Sequence, residues 1–235
     1  MSIALITGAN RGLGFETARR LVAAGHTVFA GARDARRGED AARALGARPV
    51  RLDVTDADSV RRAAEQVRDE AGRLDVLVNN AGIIGARKPV AGTTADDMLA
   101  CYDTNVFGVV RVMRAFLPLL ERSAAPVVVN VGSALGSLAA AADPAARAAH
   151  VPTWVPALDY ASAKAALNMV TAQYAHAYPG IRVNAVDPGH TATDFNDHQG
   201  PQTVEEGAEI IVRMASIGAD GPTGGFFAAA GPVPW

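Results

Sequence analysis

The segment LDYASAKAAL, residues 158–167, carries a phenol and an amine four positions apart, Tyr160 and Lys164. Of the 22 basic residues only Lys88 and Lys164 are lysines, so an amine here stands out against a background of arginine. On a helix, residues i and i+4 share a face. An isolated phenol has a pKa near ~10, too high to exchange a proton freely at neutral pH. An ammonium ~5 Å away, at an effective dielectric of about 20, favours the phenolate by roughly 3 kcal/mol. That is about two pKa units. The pair makes Tyr160 a candidate general acid for a carbonyl oxygen, or a base in the reverse direction. Lysine suits the position because its compact head can also bond a ribose, where arginine is bulkier and planar. A helix with one exposed tyrosine and one surface lysine is the alternative.

The elements that must position such a pair follow from the apolar pattern. Strands are expected at 3–7, 27–32, 50–54, 75–80, 126–131, 181–186 and 224–230. Helices are expected at 13–24, 34–45 (opened by Asp34), from Thr55 or Asp56 to Gly72, at 94–121 and near 204–216. Pro118 should bend or end the long fourth helix early. Strands apolar on both faces, alternating with helices, predict one Rossmann-type doubly wound α/β domain over residues 1–235. Its sheet is expected to be parallel and seven-stranded, with helices on both faces. Two irregular stretches, 134–158 and a substrate loop at 188–203, each follow a strand. They belong at the carboxyl edge of the sheet, where ligands of such folds sit. The first of them is expected to form a short helix over the site.

The first strand runs into TGANRGLG, which sets Gly8, Gly12 and Gly14 between strand and helix. Glycines there permit the tight turn and let the backbone approach a pyrophosphate, to which the helix N-terminus offers unpaired N–H groups. A glycine-rich turn without a ligand is the plainer reading. The spacing is T-G-x-x-x-G-x-G rather than G-x-G-x-x-G. In this spacing the chain resembles the classical short-chain dehydrogenases/reductases. TGANRGLG, LDVT at 52–55, NNAG at 79–82, YASAK at 160–164 and DPG at 187–189 match that family's motifs in order. ARDARRGEDA, VEEGAE and the terminal Trp235 are most similar to its carbonyl reductases.

The resemblance implies a catalytic tetrad of Asn105, Ser133, Tyr160 and Lys164. Ser133 and Tyr160 would bond the substrate oxygen, and Asn105 would hold a water in a proton relay through Lys164. It implies cofactor contacts from Gly8, Asn10, Arg11, Gly12, Leu13 and Gly14. Asp53 and Val54 would meet the adenine, and Asn79, Ala81 and Gly82 belong to the fourth-strand motif. Tyr160, Lys164, Pro188, Gly189, Thr191 and Thr193 complete the set, Thr193 at the carboxamide. The implied chemistry is hydride transfer between a nicotinamide and a small-molecule carbonyl.

The choice of nicotinamide rests on the second strand. Ala32 stands where the resembled NAD enzymes usually carry an acid, and Arg33 follows it. With Arg11 from the glycine loop, two guanidiniums converging on one spot suit the 2′-phosphate of NADP. Asp34 is the competing reading, as an acid for NAD, but it is better explained as the cap of the second helix.

Other features bound the class. Net charge is −2, without a basic or acidic tract, so no nucleic-acid partner is expected. No long apolar run or signal pattern appears, the single Cys101 reads as a small buried side chain, and no metal site is expected. A cytoplasmic, membrane-free location is the corresponding expectation. The gap between Ser133 and Tyr160 is about twice that of many family members. It is intermediate between them and monomeric carbonyl reductases, which leaves monomer and homo-oligomer open. His190 reads as a loop residue or a substrate contact. The tail GPVPW is expected to fold back so that Trp235 walls the substrate pocket near Tyr160, with 134–158 on the opposite side. An NAD-dependent alcohol dehydrogenase of the same fold, or a non-enzymatic NADP-binding protein, are the alternatives.

Overall fold

The computed structural model describes residues 2–152 and 154–235; Met1 and Thr153, the latter within the 134–158 stretch, lie outside the described residues. The first half runs β1 (Ile3–Ile6), α1 (Gly12–Ala23), β2 (Thr27–Ala32), α2 (Ala35–Leu45), β3 (Arg48–Arg51), α3 (Ala57–Ala71) and β4 (Val76–Asn79). The second runs α4 (Ala95–Tyr102), α5 (Gly108–Leu120), β5 (Val127–Val131), α6 (Leu138–Ala142), α7 (Pro144–His150) and α8 (Leu158–Ala177). It ends with β6 (Arg182–Asp187), α9 (Val204–Ala215), β7 (Phe226–Ala228) and β8 (Gly231–Pro232). Polar residues start the helices for a local reason. Asp34 and Asp56 accept first-turn N–H groups, and Thr94 and Thr203 form capping boxes with Asp97 and Glu206.

The sheet order is β3-β2-β1-β4-β5-β6-β7-β8. All neighbours are parallel except β7 and β8. Alternate strand residues feed opposite faces. Leu5 and Phe29 pack with Val60, Phe116 and Leu167 of α3, α5 and α8. Ala4, Ile6 and Val28 pack with Leu21, Leu45 and Ile210 of α1, α2 and α9. Fully burying a side chain of this kind stabilises by roughly 1.5–3 kcal/mol. The chain is therefore a doubly wound Rossmann-type domain, and its strand order reverses between β1 and β4. A ligand crevice opens at such a switch point.

Four boundaries differ from expectation. The sheet has eight strands, not seven, because the chain turns at Ala229–Ala230 and adds β8 as an antiparallel edge (Phe227 opposite Pro232). Proline is tolerated there because an edge strand need not donate on its outer side. The third strand starts earlier and stops at Arg51. Asp53 leaves the ladder to accept from Thr55 N and Oγ1, at 3.0 and 2.7 Å. The long helix is interrupted by a π turn at Asp103–Phe107 between α4 and α5. Pro118 does not end it early: it lies in the last turn, and the helix continues to Leu120. Lastly, 134–158 holds two short helices rather than one, divided where Asp143 caps α7 with Pro144 behind it.

Candidate active site

Helix α8 buries a stripe of Tyr160, Lys164, Leu167, Thr171 and Ala175, at helical spacing. Tyr160 and Lys164 thus lie on the inward face, 9% and 6% exposed, and the surface reading of the pair falls. Side chains lock the helix in rotation. Asn79 Nδ2 donates to Asn130 Oδ1 (2.8 Å), Asn130 Nδ2 to Thr171 Oγ1 (2.9 Å), and Thr171 to the Leu167 carbonyl (2.8 Å). The turn after β5 presses on the same helix at Gly136. A methyl there would lie 2.5 Å from the Lys164 carbonyl carbon. Ser133 caps this turn, accepting from Leu135 N, and its hydroxyl acts on the Tyr160 phenol, pulling it down.

Lys164 Nζ lies 5.5 Å from the centre of the Tyr160 ring and donates to the Val131 carbonyl at 2.7 Å. Burial pushes this amine down to about 8, opposed by the Asp187 carboxylate. The phenol departs from the sequence argument. Burial raises Tyr160 well above its ordinary value, Asp187 raises it further, and the Ser133 hydroxyl pulls back. An effective dielectric of about 20 describes a half-solvated pair, whereas this pair is buried and desolvation is the largest influence on both groups.

Asn105 sits on the π turn, buried. Its Oδ1 accepts from Ile83 N (2.9 Å) and its Nδ2 donates to the Ile83 carbonyl (2.8 Å), so it pairs with the loop after β4 as a strand would. Sequence reasoning missed a second anchor of this loop. Buried Asp159 accepts from Ala86 N (2.7 Å), and a methyl on Gly85 would lie 2.6 Å from its Cγ. An acid directly before the tyrosine, with a glycine after β4, was the available signal.

The glycine turn fits a phosphate. Gly8 and Gly12 have φ of +66° and +55°, where a side chain is strained. A methyl on Gly14 would meet Asn80 Nδ2 and lie 2.6 Å from the Gly8 carbonyl. Helix α1 has Arg11 at its N-cap with no side-chain cap, in contrast to α2, α3, α4 and α9, and no acid stands in its first turn. Its first N–H groups face the switch point with Asn10, Gly12 and Leu13. Thr7 and Asn80, also missed from sequence, hold this turn to the NNAG segment. Thr7 Oγ1 accepts from Asn80 N and Ala81 N, each at 2.9 Å, and Asn80 Nδ2 donates to the Thr7 carbonyl. Gly82 closes on Asn105, and Val54 closes on Gly108.

At the end of β2 a shallow pocket is lined by Arg33, Asp34, Ala35, Arg36, Arg37 and Arg51. Arg51 stands opposite Ala32 in register. Asp34 caps α2 by accepting from Arg37 N (2.9 Å). Arg11 does not converge with Arg33. It pairs with Asp194 at 3.1 Å, because the 188–203 loop offers it a carboxylate.

The loop at 188–203 borders both halves. Thr191 and Thr193 are buried, and Thr193 faces Gly12. His190 is exposed. Phe195 stacks obliquely on Tyr160, ring centres 5.9 Å apart, and its carbonyl accepts from Arg87 (3.0 Å), which also pairs with Asp197. Arg87, Asp197 and His198 all hold positive φ.

The tail folds back, but onto 134–158 rather than across from it. The Pro234 carbonyl accepts from Ser137 Oγ (2.7 Å), and the Trp235 carbonyl accepts from Ala139 N (2.9 Å). Trp235 stacks on Phe226 at 5.6 Å. The ring against Tyr160 is Phe195, a residue the sequence reading passed over. The β7–β8 hairpin steers the tail toward α6.

A doubly wound sheet with a glycine turn at its switch point, and a buried phenol–amine pair on the same edge, define a Rossmann-type oxidoreductase. The family model described as short chain dehydrogenase matches residues 2–203, and the chain belongs to that family of oxidoreductases. The short-chain dehydrogenase anuI of Penicillium roqueforti is 37% identical, over 92% of this chain and 89% of that protein. The (−)-isopiperitenone reductase of Mentha piperita is 31% identical, over 95% of each. Among solved structures, an NADPH-bound carbonyl reductase from chicken fatty liver superposes with a TM-score of 0.86 at 28% identity, covering 100% of this chain and 99% of that one. Salutaridine reductase from Papaver somniferum gives 0.84 at 30%, covering 97% and 100%.

Proposed function

We propose that this chain reduces the carbonyl of a ketone or aldehyde with NADPH. The buried Tyr160–Lys164 pair, with Nζ 5.5 Å from the centre of the phenol ring, is the observation that carries the reading. A nicotinamide dinucleotide, bound at the switch point, supplies the hydride. Gly8, Asn10, Gly12, Leu13 and Gly14 hold its phosphates, and Asp53 and Val54 border its adenine. Asn79, Ala81 and Gly82 form the floor, and Pro188, Gly189, Thr191 and Thr193 border the carboxamide side.

Ser133 holds the substrate oxygen, and Tyr160 delivers its phenolic proton to that oxygen. Burial keeps the phenol protonated in the free protein, so the Lys164 ammonium and the Ser133 hydroxyl must offset that rise for transfer to run near neutral pH. The Lys164 ammonium then stabilises the phenolate in its dry surroundings and returns a proton to it. Asn105 holds the loop after β4 through both of its side-chain polar atoms and so positions the floor of the site.

NADPH is favoured by the arginine pocket at Arg33 and Arg51, with Arg11 able to turn from an exposed ion pair that holds it weakly. Asp34 in the same pocket also caps α2, accepting from Arg37 N through Oδ1, and four arginines surround it. An NADPH-bound carbonyl reductase and a RhlG/NADP complex among the similar structures support the same choice. The test is a screen of ketones, aldehydes and quinones with each cofactor. Each charge-assisted bond to a 2′-phosphate contributes roughly 1.5–3 kcal/mol, so NADPH should exceed NADH by at least ~10-fold in kcat/KM. Arg33→Ala should weaken NADPH and leave NADH nearly unchanged; equal losses would make Arg33 structural and remove the reading's basis.

A further inference from the structure

Asp159 opens α8 directly before Tyr160, and the tetrad makes no use of it. Its side chain is buried, 3% exposed. Its Oδ2 accepts from Ala86 N at 2.7 Å and its Oδ1 from Tyr160 N at 2.8 Å. Gly85, at φ +84°, comes so close that a methyl there would lie 2.6 Å from the carboxylate carbon. A buried carboxylate is costly unless it is hydrogen-bonded. Here the bonds come from backbone N–H groups of two elements, so the side chain fastens the 83–87 loop to the start of α8. The other end of that loop is held by Asn105 through Ile83. The next residue, Arg87, donates to the Phe195 carbonyl at 3.0 Å and pairs with Asp197. Half-buried Phe195 lies against the Tyr160 ring. The contacts therefore close a ring, from Asp159 through Ala86, Arg87 and Phe195 back to Tyr160.

We propose that Asp159 and Arg87 are positioning residues: Asp159 sets the 83–87 loop, and Arg87, so placed, holds the 188–203 loop with Phe195 over the proton donor. The inference rests on the reading of Tyr160 as that donor. Among the described residues two ion pairs tie the 188–203 loop to the rest of the domain, Arg11–Asp194 and Arg87–Asp197. Both are exposed, and an exposed pair holds weakly when its long side chains must be ordered to form it. Arg87 differs because its backbone is preset. The residue before it is bonded to a buried carboxylate, and its own second donor reaches a main-chain carbonyl. Arg11 is the tie that NADPH would claim, which leaves Arg87 to hold the loop in the working complex. Phe195 then keeps water from the part of the phenol it covers and fixes the ring, so the hydroxyl meets the carbonyl oxygen in one geometry. A misplacement of ~1 Å in such a site can cost about 10²-fold in rate.

Asp159→Asn keeps the shape but turns one acceptor into a donor set against a backbone N–H. Arg87→Gln removes the charge and the fork that grips the loop. Each should lower kcat on the best carbonyl substrate about 10-fold and leave NADPH affinity within about twofold. Each should also raise the solvent deuterium isotope effect on kcat, because proton transfer becomes slower. A variant that only lost folded molecules would keep the original isotope effect. The double variant should lose little more than either single one, since both act through one ring; independent effects would multiply to about 100-fold. A kcat or an isotope effect unchanged in either single variant, or a double variant at the full product, overturns the proposal. If Asp159→Asn does not fold, Phe195→Ala takes its place: Arg87→Gln should then cost little further kcat in the Phe195→Ala background, and a full further loss overturns the proposal. Tyr160→Phe separates the two levels. If it retains turnover, the proton-donor reading fails; if it loses turnover while Asp159→Asn and Arg87→Gln keep theirs, only the present inference fails.

Discussion

Lys164 and Gly136 show how little freedom the reacting groups have. The Lys164 amine is held by the Val131 carbonyl, and its backbone is touched by the turn that bears Ser133. A methyl on Gly136 would stand 2.5 Å from the Lys164 carbonyl carbon and 2.6 Å from Ala165 N, so backbone rather than a flexible side chain must yield. Overpacking of this kind costs roughly 1–3 kcal/mol. Gly136→Ala should lower stability by about that amount in a urea melt and reduce kcat several-fold, because Ser133 and Lys164 move apart. Gly92→Ala, with open space around it, is the control and should change neither. Equal behaviour of the two variants would show that the turn does not set the site. The Tyr160–Lys164 pair was legible from its i,i+4 spacing, and its burial on the inward face of α8 agrees with that, whereas Asn105 and Ser133 came only with the family resemblance. Asp159, Arg87 and Phe195 were not legible, because their roles depend on which strand end or loop they meet in space. The direction of the phenol's shift was also hidden: spacing gives the distance to the amine, while burial decides the sign.

Most strands and helices were legible, since apolar runs punctuated by glycine and capping acids point to one answer. The π turn was not. Within it, Asn105 pairs with Ile83 of the loop after β4, a partner that helical periodicity does not reveal. The final hairpin escaped for another reason: GGFFAAAGPVPW offers one strand's worth of apolar residues, and the reversal depends on Gly231 at φ +133°. That hairpin brings the tail to α6, where Ser137 and Ala139 donate to the carbonyls of Pro234 and Trp235. Deleting residues 232–235 should therefore free the 137–142 segment. Amide exchange in α6 should accelerate, and KM for bulky aromatic ketones should rise more than for small aldehydes, with NADPH affinity unchanged. Unchanged exchange and KM would detach the tail from the substrate side.

The whole molecule collects its chemistry at one edge. The loops after β1, β4, β5 and β6 bring the glycine turn, the Ile83–Arg87 loop, Ser133 and the 188–203 loop together, and α8 lays Tyr160 and Lys164 across them. Membership of the short-chain dehydrogenase family agrees with this arrangement along residues 2–203. The central claim is that Tyr160 delivers the proton, and it is tested by Tyr160→Phe, which keeps the ring against Phe195 and removes the hydroxyl. The measurement pairs NADPH binding, followed by fluorescence titration, with kcat on the best carbonyl substrate. The account predicts unchanged NADPH affinity and a loss of kcat of about 10²–10⁴, the usual worth of a general acid. Near-normal turnover in Tyr160→Phe, with NADPH bound as tightly as by the unaltered chain, would contradict it.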